Sequence, residues 1–349
     1  MAKLLTYDQV RYLINMKDVV NSCEATFAGL SDGTVINPTK VTLDVGESAP
    51  YPSYDGFFNA MPAYIGYQKP DIAGIKWVLG IGGYRKKAGL PFIGGMILLA
   101  DPKFGIFKCV MDGKYITNLR TGAQSAIALK HIFKNKKTIR LGLFGAGMQG
   151  HTQTEAISHC FDIEEVRVYD IFHPAAEKYK ENMKKNNTVT GTVTICENPR
   201  EAAESVDAII CVTQAKDRFL KAEWIKPGTV VMPLGSYDEV EDEVILQSDA
   251  IVIDHLGQCM HRGALHALFE KGQLTPADVT TTIGDLVTNR YDLGDISEKR
   301  ILCLPIGMGC LDIGAAGIVY QRALEKHIGF EFDFNGECFA NDIPEVVLS

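Results

Sequence analysis

Gly145, Gly147 and Gly150 stand at Gly-x-Gly-x-x-Gly spacing in the run Thr138-Ile-Arg-Leu-Gly-Leu-Phe-Gly-Ala-Gly-Met-Gln-Gly. The apolar residues before the first glycine read as a strand, and those after the third as a helix. In that setting the first glycine permits a tight strand-to-helix turn and the second lets backbone approach a pyrophosphate. The third lets the helix pack close to the strand, with its N–H groups turned toward the anion. Ala146, Met148 and Gln149 lie between the glycines and share that contact. Asp170 follows twenty residues after Gly150, closing the apolar run Val166-Arg-Val-Tyr. Its carboxylate can accept hydrogen bonds from both adenosine ribose hydroxyls and would repel a 2′-phosphate, so NAD is expected rather than NADP. Ile171, next to it, is assigned to the same end of the cofactor. A glycine triplet alone is weak evidence; strand, helix and acid together pass the context test.

The elements that must position this motif show two regimes. A chain of 349 residues is long for one core and fits two domains. From Thr138 to about Asp254 short apolar runs (139–144, 166–169, 192–196, 208–212, 230–234 and 250–253) alternate with helical patterns, which argues for a parallel sheet covered on both faces. Asn198-Pro-Arg-Glu201 has the order of a capped helix start and predicts a helix over 200–205. Before the glycine motif, a helix expected over 7–30 is followed by strand-like pieces at 40–44, 63–66, 75–79, 92–99 and 106–110, the pattern of a mainly antiparallel sheet. A helix over 116–133 joins the regimes, and a helix over 315–327 with a strand over 330–334 is expected to return to the first. The expectation is therefore an α/β protein: a Rossmann-type doubly wound parallel sheet over residues 121–317, and a second, mainly antiparallel α+β domain for substrate and dimerisation over 1–120, joined by 318–349.

Composition narrows the class. The net charge of −8 gives no electrostatic reason for nucleic acid or an anionic membrane as partner. Nine cysteines, an odd number without CxxC pairs, read as reduced thiols of a cytoplasmic protein. No apolar run reaches membrane-spanning length, and the N-terminus lacks the apolar stretch of a signal peptide.

Met61-Pro-Ala-Tyr, Gly74-Ile-Lys-Trp-Val, Met111-Asp-Gly-Lys-Tyr-Ile-Thr-Asn-Leu-Arg-Thr-Gly-Ala and Phe144-Gly-Ala-Gly-Met-Gln-Gly together resemble the ornithine cyclodeaminase/mu-crystallin family. The resemblance runs from Leu5 to about Lys326 and is nearest in motif to the archaeal alanine dehydrogenase and imino-acid reductase type. It implies that Lys40, Lys76 and Arg120 hold a substrate carboxylate near the nicotinamide. Arg suits a bidentate grip, and a buried Lys can also move a proton. It implies further that Asp312, in Gly307-Met-Gly-Cys-Leu-Asp, lies near the nicotinamide, although Gly309 and Leu311 replace the Ala and Gln of the family segment. Thr121, Thr213 and Ser236 are assigned to the cofactor's phosphates or nicotinamide half. Asp254 is placed at the end of the last strand of the sheet.

One departure bears on activity. Ornithine cyclodeaminases carry an Asp two residues after the family glycine to engage a distal amine; here Tyr237 stands there, with Asp238 adjacent. Tyr237 is accordingly assigned to the substrate pocket, together with candidate lining residues Tyr54, Phe57, Phe58 and Tyr64. The acidic residues from Glu239 to Glu243 read as a solvated helix start. Asp254, His255, Cys259, His261 and His266 match no zinc spacing, and no metal is expected. The resulting expectation is an NAD-dependent oxidoreductase at the α-carbon of a small amino acid or its imine, working as a homodimer. The alternatives are ornithine cyclodeaminase itself and a non-catalytic mu-crystallin-like nucleotide binder.

Overall fold

The strands that bury every residue all lie in one sheet, and a second sheet is built round long strands that bury alternate residues. The computed structural model describes residues 1–46, 53–235 and 237–334. The chain forms two compact units, one of Met1–Asn15, Gly33–Thr117 and the residues from Gly309 onward, the other of Met16–Asp32 and Asn118–Met308. These bounds differ from the boundaries expected at 120/121 and 317/318. The helical pattern over 7–30 breaks at Ile14, whose backbone is extended, and the second half joins the other unit.

The first unit holds β1 (Ala2–Leu5), β2 (Val35–Ile36), β3 (Val41–Asp44), β4 (Gly56–Ile65), β5 (Ile72–Ile81), β6 (Ile93–Ala100), β7 (Phe107–Asp112) and β16 (Phe330–Phe332), with helices α1 (Tyr7–Leu13), α3 (Gly83–Lys87) and α12 (Gly309–Glu325). Its sheet order is β16-β1-β7-β6-β5-β4-β2, with β3 also on β4. Every pairing is antiparallel except β1 with β7. The alternation has a direct consequence for side chains. Met61, Lys76, Ile97 and Met111 form one buried row across β4 to β7. The neighbouring row, Val41, Ala60, Trp77 and Met96, faces outward, and its large members are 55–69% exposed. Helix α12 packs on β4, β5 and β6. It begins at Gly309, earlier than the periodicity from 315 indicates, and β16 returns to pair with β1 as expected.

The second unit holds β8 (Thr138–Phe144), β9 (Asp162–Tyr169), β10 (Thr192–Ile195), β11 (Ala208–Cys211), β12 (Val230–Pro233), β13 (Ala250–Ile253), β14 (Thr281–Thr282) and β15 (Ile301–Leu304). Its longer helices are α2 (Met16–Asp32), most of α4 (Lys114–Phe133), α5 (Met148–Ser158) and α6 (His173–Lys185); the short ones are α7 (Pro199–Ala203), α8 (Asp242–Leu246), α9 (Leu256–Cys259), α10 (His266–Glu270) and α11 (Ile283–Val287). All pairings in the order β10-β9-β8-β11-β12-β15-β13-β14 are parallel. β11, β12, β13 and β15 bury all their residues, as strands covered on both faces must. Two sequence expectations shift here. The helix expected over 200–205 is Pro199–Ala203, with Asn198 accepting the Glu201 N–H at 3.1 Å. β13 is not the last strand, because β14 and β15 follow it and β15 inserts between β12 and β13.

Candidate functional site

From β8 the chain builds β9 and β10 to one side and then crosses to β11 on the other. This makes a switch point at the carboxyl ends of β8 and β11, where ligands bind in open parallel sheets. Because all the strands run the same way, the residues just past their ends share one edge. Gly145 follows β8, Asp170 follows β9, Thr213 lies two past β11, Tyr237 lies just past β12, Asp254 follows β13 and Gly307 lies past β15.

Gly145 has φ +98°, and a Cβ there would lie 2.8 Å from the Val212 carbonyl oxygen; one on Gly150 would lie 2.3 Å from that of Gly145. These are the turn and the close packing that the spacing predicts. Gly147 caps α5, and a side chain added there would meet nothing within 4 Å, which leaves the backbone open to a ligand. Met148, 63% exposed, and Ile171, 93% exposed, flank this opening. Asp170 is fixed rather than free: the Ala146 N–H donates to its Oδ2 and the Phe172 N–H to its Oδ1, both at 2.8 Å. Each oxygen keeps a further lone pair for a ribose hydroxyl. Gln149 turns to the Asn118 side chain, 2.7 Å away.

Thr213, which the sequence assigns to the cofactor, has its own polar groups taken. Its N–H and its hydroxyl both donate to Glu239 Oε1 at 2.7 Å, and its hydroxyl oxygen accepts from the Ala215 N–H at 3.1 Å. Glu239 is the residue that sequence reasoning misses. It is 1% exposed, not part of a solvated helix start; that description fits Glu241, Asp242 and Glu243 at the beginning of α8. Burial pushes its carboxyl up to about 7 against the two Thr213 hydrogen bonds, which favour the anion. The signal present in the sequence is Val240, an apolar residue inside the acidic run, which forms a bridge with Leu220 and draws its neighbour inward.

Arg120, in α4, is 7% exposed. Gly307 has φ +92°, and a Cβ on it would lie 2.3 Å from the Arg120 guanidinium, so glycine leaves the space the guanidinium fills. The Gly307 N–H donates to buried Asp254 at 2.6 Å, which fixes this turn. Thr121, beside Arg120, accepts from Gln153 through its carbonyl at 2.9 Å. In the first unit, the Lys76 ammonium lies 2.7 Å from Asp312 Oδ2, and both side chains are fully buried. Asp312 stands in the first turn of α12, where the helix dipole favours an anion. The Asn37 side chain caps the same helix by accepting the Cys310 N–H at 3.0 Å. Lys40, half-buried, precedes β3; continuing the Val41–Ala60 register by one residue sets it opposite Met61, in the Lys76 row.

The remaining assignments divide. Tyr237 is half-buried, and its ring lies 3.2 Å from a Cβ placed on Gly235. Asp238 does not replace the cyclodeaminase Asp from a buried position: its side chain is 65% exposed, 4.0 Å from Arg218. Ser236 lies outside the described residues. Of the histidine-rich group, Cys259 donates to Asp254 and His266 contacts the Met260 carbonyl and Glu270. Among the described residues no cluster of three or more His, Cys, Asp or Glu side chains could hold a metal.

The sequence pattern of the ornithine cyclodeaminase/mu-crystallin family matches residues 2–327. The chain belongs to that family. Alanine dehydrogenase of Archaeoglobus fulgidus is 32% identical over 335 residues, covering 95% of this chain and 98% of the relative. A solved archaeal alanine dehydrogenase dimer with bound NAD superposes with a TM-score of 0.84 at 32% identity, over 95% of this chain and 99% of that one. Δ1-pyrroline-2-carboxylate reductase of Thermococcus litoralis, solved with NADH and L-proline, superposes with a TM-score of 0.85 at 28% identity, over 95% of this chain and 100% of that one.

Proposed function

We propose that this NAD-dependent amino- and imino-acid oxidoreductase holds a small amino acid or its imine by the carboxylate through Arg120, with Lys40 adding charge and Lys76 serving the nitrogen-bearing α-carbon. The observation that carries this reading is the Lys76–Asp312 pair, a lysine and a carboxylate at 2.7 Å with no solvent exposure, in a chain of this family. Ion pairs kept fully out of water cost desolvation, and a strand residue placed there for stability alone would be better apolar. Function is the economical reason for the charge.

NAD supplies the hydride acceptor in one direction and, reduced, the donor in the other. The chain's residues do the rest. In oxidation the α-carbon gives up a hydride and the nitrogen a proton, leaving an imino acid whose carboxylate Arg120 retains; Lys76 takes or relays the proton. Water then adds to the imine carbon and ammonia leaves, giving a 2-oxo acid. In reduction the same groups present the imine and return the proton. Gly145, Gly147, Gly150 and Asp170 hold the dinucleotide, and Asp312 orients the Lys76 side chain between turnovers.

The homodimer expected from the sequence is supported by the exposed apolar row Val41, Trp77 and Met96 on the first unit's sheet, a face suited to a second copy. Among the described residues no helix is long and apolar enough to cross a membrane. Eight described cysteines are free thiols, in keeping with a cytoplasmic site of action.

Incubation with NAD across amino acids, and with NADH across pyruvate plus ammonia, glyoxylate plus ammonia and pyrroline-carboxylates, tests the reading. Lasting NADH formation or consumption with a small substrate is expected. Proline and ammonia from ornithine without net NADH would overturn it in favour of cyclodeamination, and cofactor binding without turnover across the panel in favour of a binding protein.

A further inference from the structure

At the crevice edge of the second unit, Glu239 carries a buried polar atom that the mechanism above leaves unused. Glu239 Oε1 is fully engaged by the N–H and hydroxyl of Thr213, while Oε2, also buried, has no hydrogen-bond partner among the described residues. The Thr213 methyl lies 3.4 Å from a Cβ placed on Gly145, so the carboxylate is anchored one side chain away from the glycine turn. Oε2 lies 3.8 Å from a Cβ placed on Gly235, just past β12. It is thus set at the carboxyl ends of β11 and β12, beside the switch point. A buried carboxylate oxygen that accepts nothing is costly, and a donor that arrives with a ligand removes that cost. Thr213 cannot be that contact through its hydroxyl, which already donates to Glu239 and accepts from Ala215.

We infer that Glu239 is a cofactor-contact residue whose Oε2 accepts a hydrogen bond from an N–H or O–H donor of the nicotinamide riboside half of the dinucleotide. Thr213 is then a positioning residue, holding the carboxylate rather than the cofactor. The inference rests on NAD being the cofactor. Two donors share this chemistry, the nicotinamide ribose hydroxyls and the carboxamide N–H. The accepting form is the anion, so binding tightens as Glu239 ionises, near pH 7. The other titratable groups around the carboxylate are Cys211 on β11, whose thiol burial holds protonated, and Tyr237 in the same loop, with Arg262 facing Tyr237. Cys211, its thiol raised by burial, stays neutral between pH 6 and pH 8.

The test is equilibrium binding of NADH, ADP-ribose and ADP to the unmodified protein and to Glu239→Gln. At pH 8 the variant should bind NADH about tenfold or more weakly, the loss of a hydrogen bond to a charged group, while ADP affinity stays within about twofold. A matching loss with ADP-ribose assigns the donor to the ribose; an unchanged ADP-ribose affinity assigns it to the carboxamide. For the unmodified protein NADH affinity should rise about tenfold from pH 6 to pH 8, and for the variant it should be flat. Equal NADH affinity in both proteins, an equal loss with ADP, or tighter NADH binding at the lower pH would overturn the inference. The pH profile of the unmodified protein needs no variant, so the inference stays open to refutation even if Glu239→Gln folds badly. Failure of the unmodified protein to bind NADH at all would instead remove the cofactor assignment beneath it.

Discussion

Replacing Lys76 and Asp312 singly and together separates their contribution to stability from their part in the chemistry. The ammonium lies 2.7 Å from the carboxylate and neither side chain meets solvent. The Thr117 hydroxyl reaches the other carboxylate oxygen only at 3.4 Å, too long to stand in for the ammonium. Lys76→Met therefore strips the near cation from a desolvated anion, and Asp312→Leu does the converse. Each should cost about 3–5 kcal/mol, whereas the double replacement by apolar residues of similar volume should lie within about 1–2 kcal/mol of the unmodified protein. The coupling energy is then about 4 kcal/mol or more. For a protein of this size each kcal/mol moves the melting temperature by about 2–4 °C, so each single variant should melt roughly 6–20 °C lower and the double variant close to the original. Thermal and urea unfolding measure this, and saturating turnover is measured on the same samples below the transition. Turnover should be lost by orders of magnitude in Lys76→Met and should not return in the double variant. Additive destabilisation, with coupling below about 1 kcal/mol, would refute the argument that the two charges stabilise each other. Recovery of turnover in the stable double variant would show that Lys76 serves only the fold.

Asp170→Ser should narrow the preference for NAD over NADP by roughly a hundredfold, because a carboxylate at about 4–5 Å from a phosphate at a partly screened site costs about 3 kcal/mol; equal affinities before the change would dismiss the role given to Asp170. Arg120→Ala should lower kcat/KM by about thirtyfold to several thousandfold with NADH affinity unchanged, as loss of a desolvated charge pair costs about 2–5 kcal/mol. Lys40→Ala should mainly raise KM, and kcat falling as far as in Arg120→Ala would place Lys40 in the chemistry instead. Trp77→Glu, in the outward row, should convert a dimer seen by light scattering into a monomer that keeps its melting temperature within a few degrees; an unchanged dimer would move the interface elsewhere.

Features whose parts are neighbours along the chain are legible in the sequence. The glycine turn needs only β8, α5 and the thirteen residues around them, and Asp170 needs only the end of the next strand. Asn198 and its helix are legible for the same local reason, whereas the Thr6–Gln9 capping box and the break at Ile14 go unread because the helical periodicity runs on past them. Long-range facts are not. Resemblance singles out Lys76 and Asp312 separately, but nothing in the sequence joins two residues 236 positions apart. The insertion of β15 between β12 and β13 depends on a crossover, and a four-residue apolar run does not state its neighbours. Glu239 is hidden by its company, since four other acidic residues surround it within Asp238 to Glu243 and only the inward turn at Val240 sets it apart.

The return of α12 to the first unit has a temporal consequence. During synthesis the sheet of β3 to β7 leaves the ribosome early, with Lys76 at its centre, but the helix that covers it and the carboxylate that neutralises Lys76 come 236 residues later. At ordinary elongation rates that is a wait of roughly ten to fifty seconds. Within that wait Asn118–Met308 emerges in full, a continuous stretch that carries every strand of the parallel sheet. The nascent chain thus completes its nucleotide-binding sheet while the antiparallel sheet stays uncovered, and the helix that closes Lys76 away from water is made only afterwards.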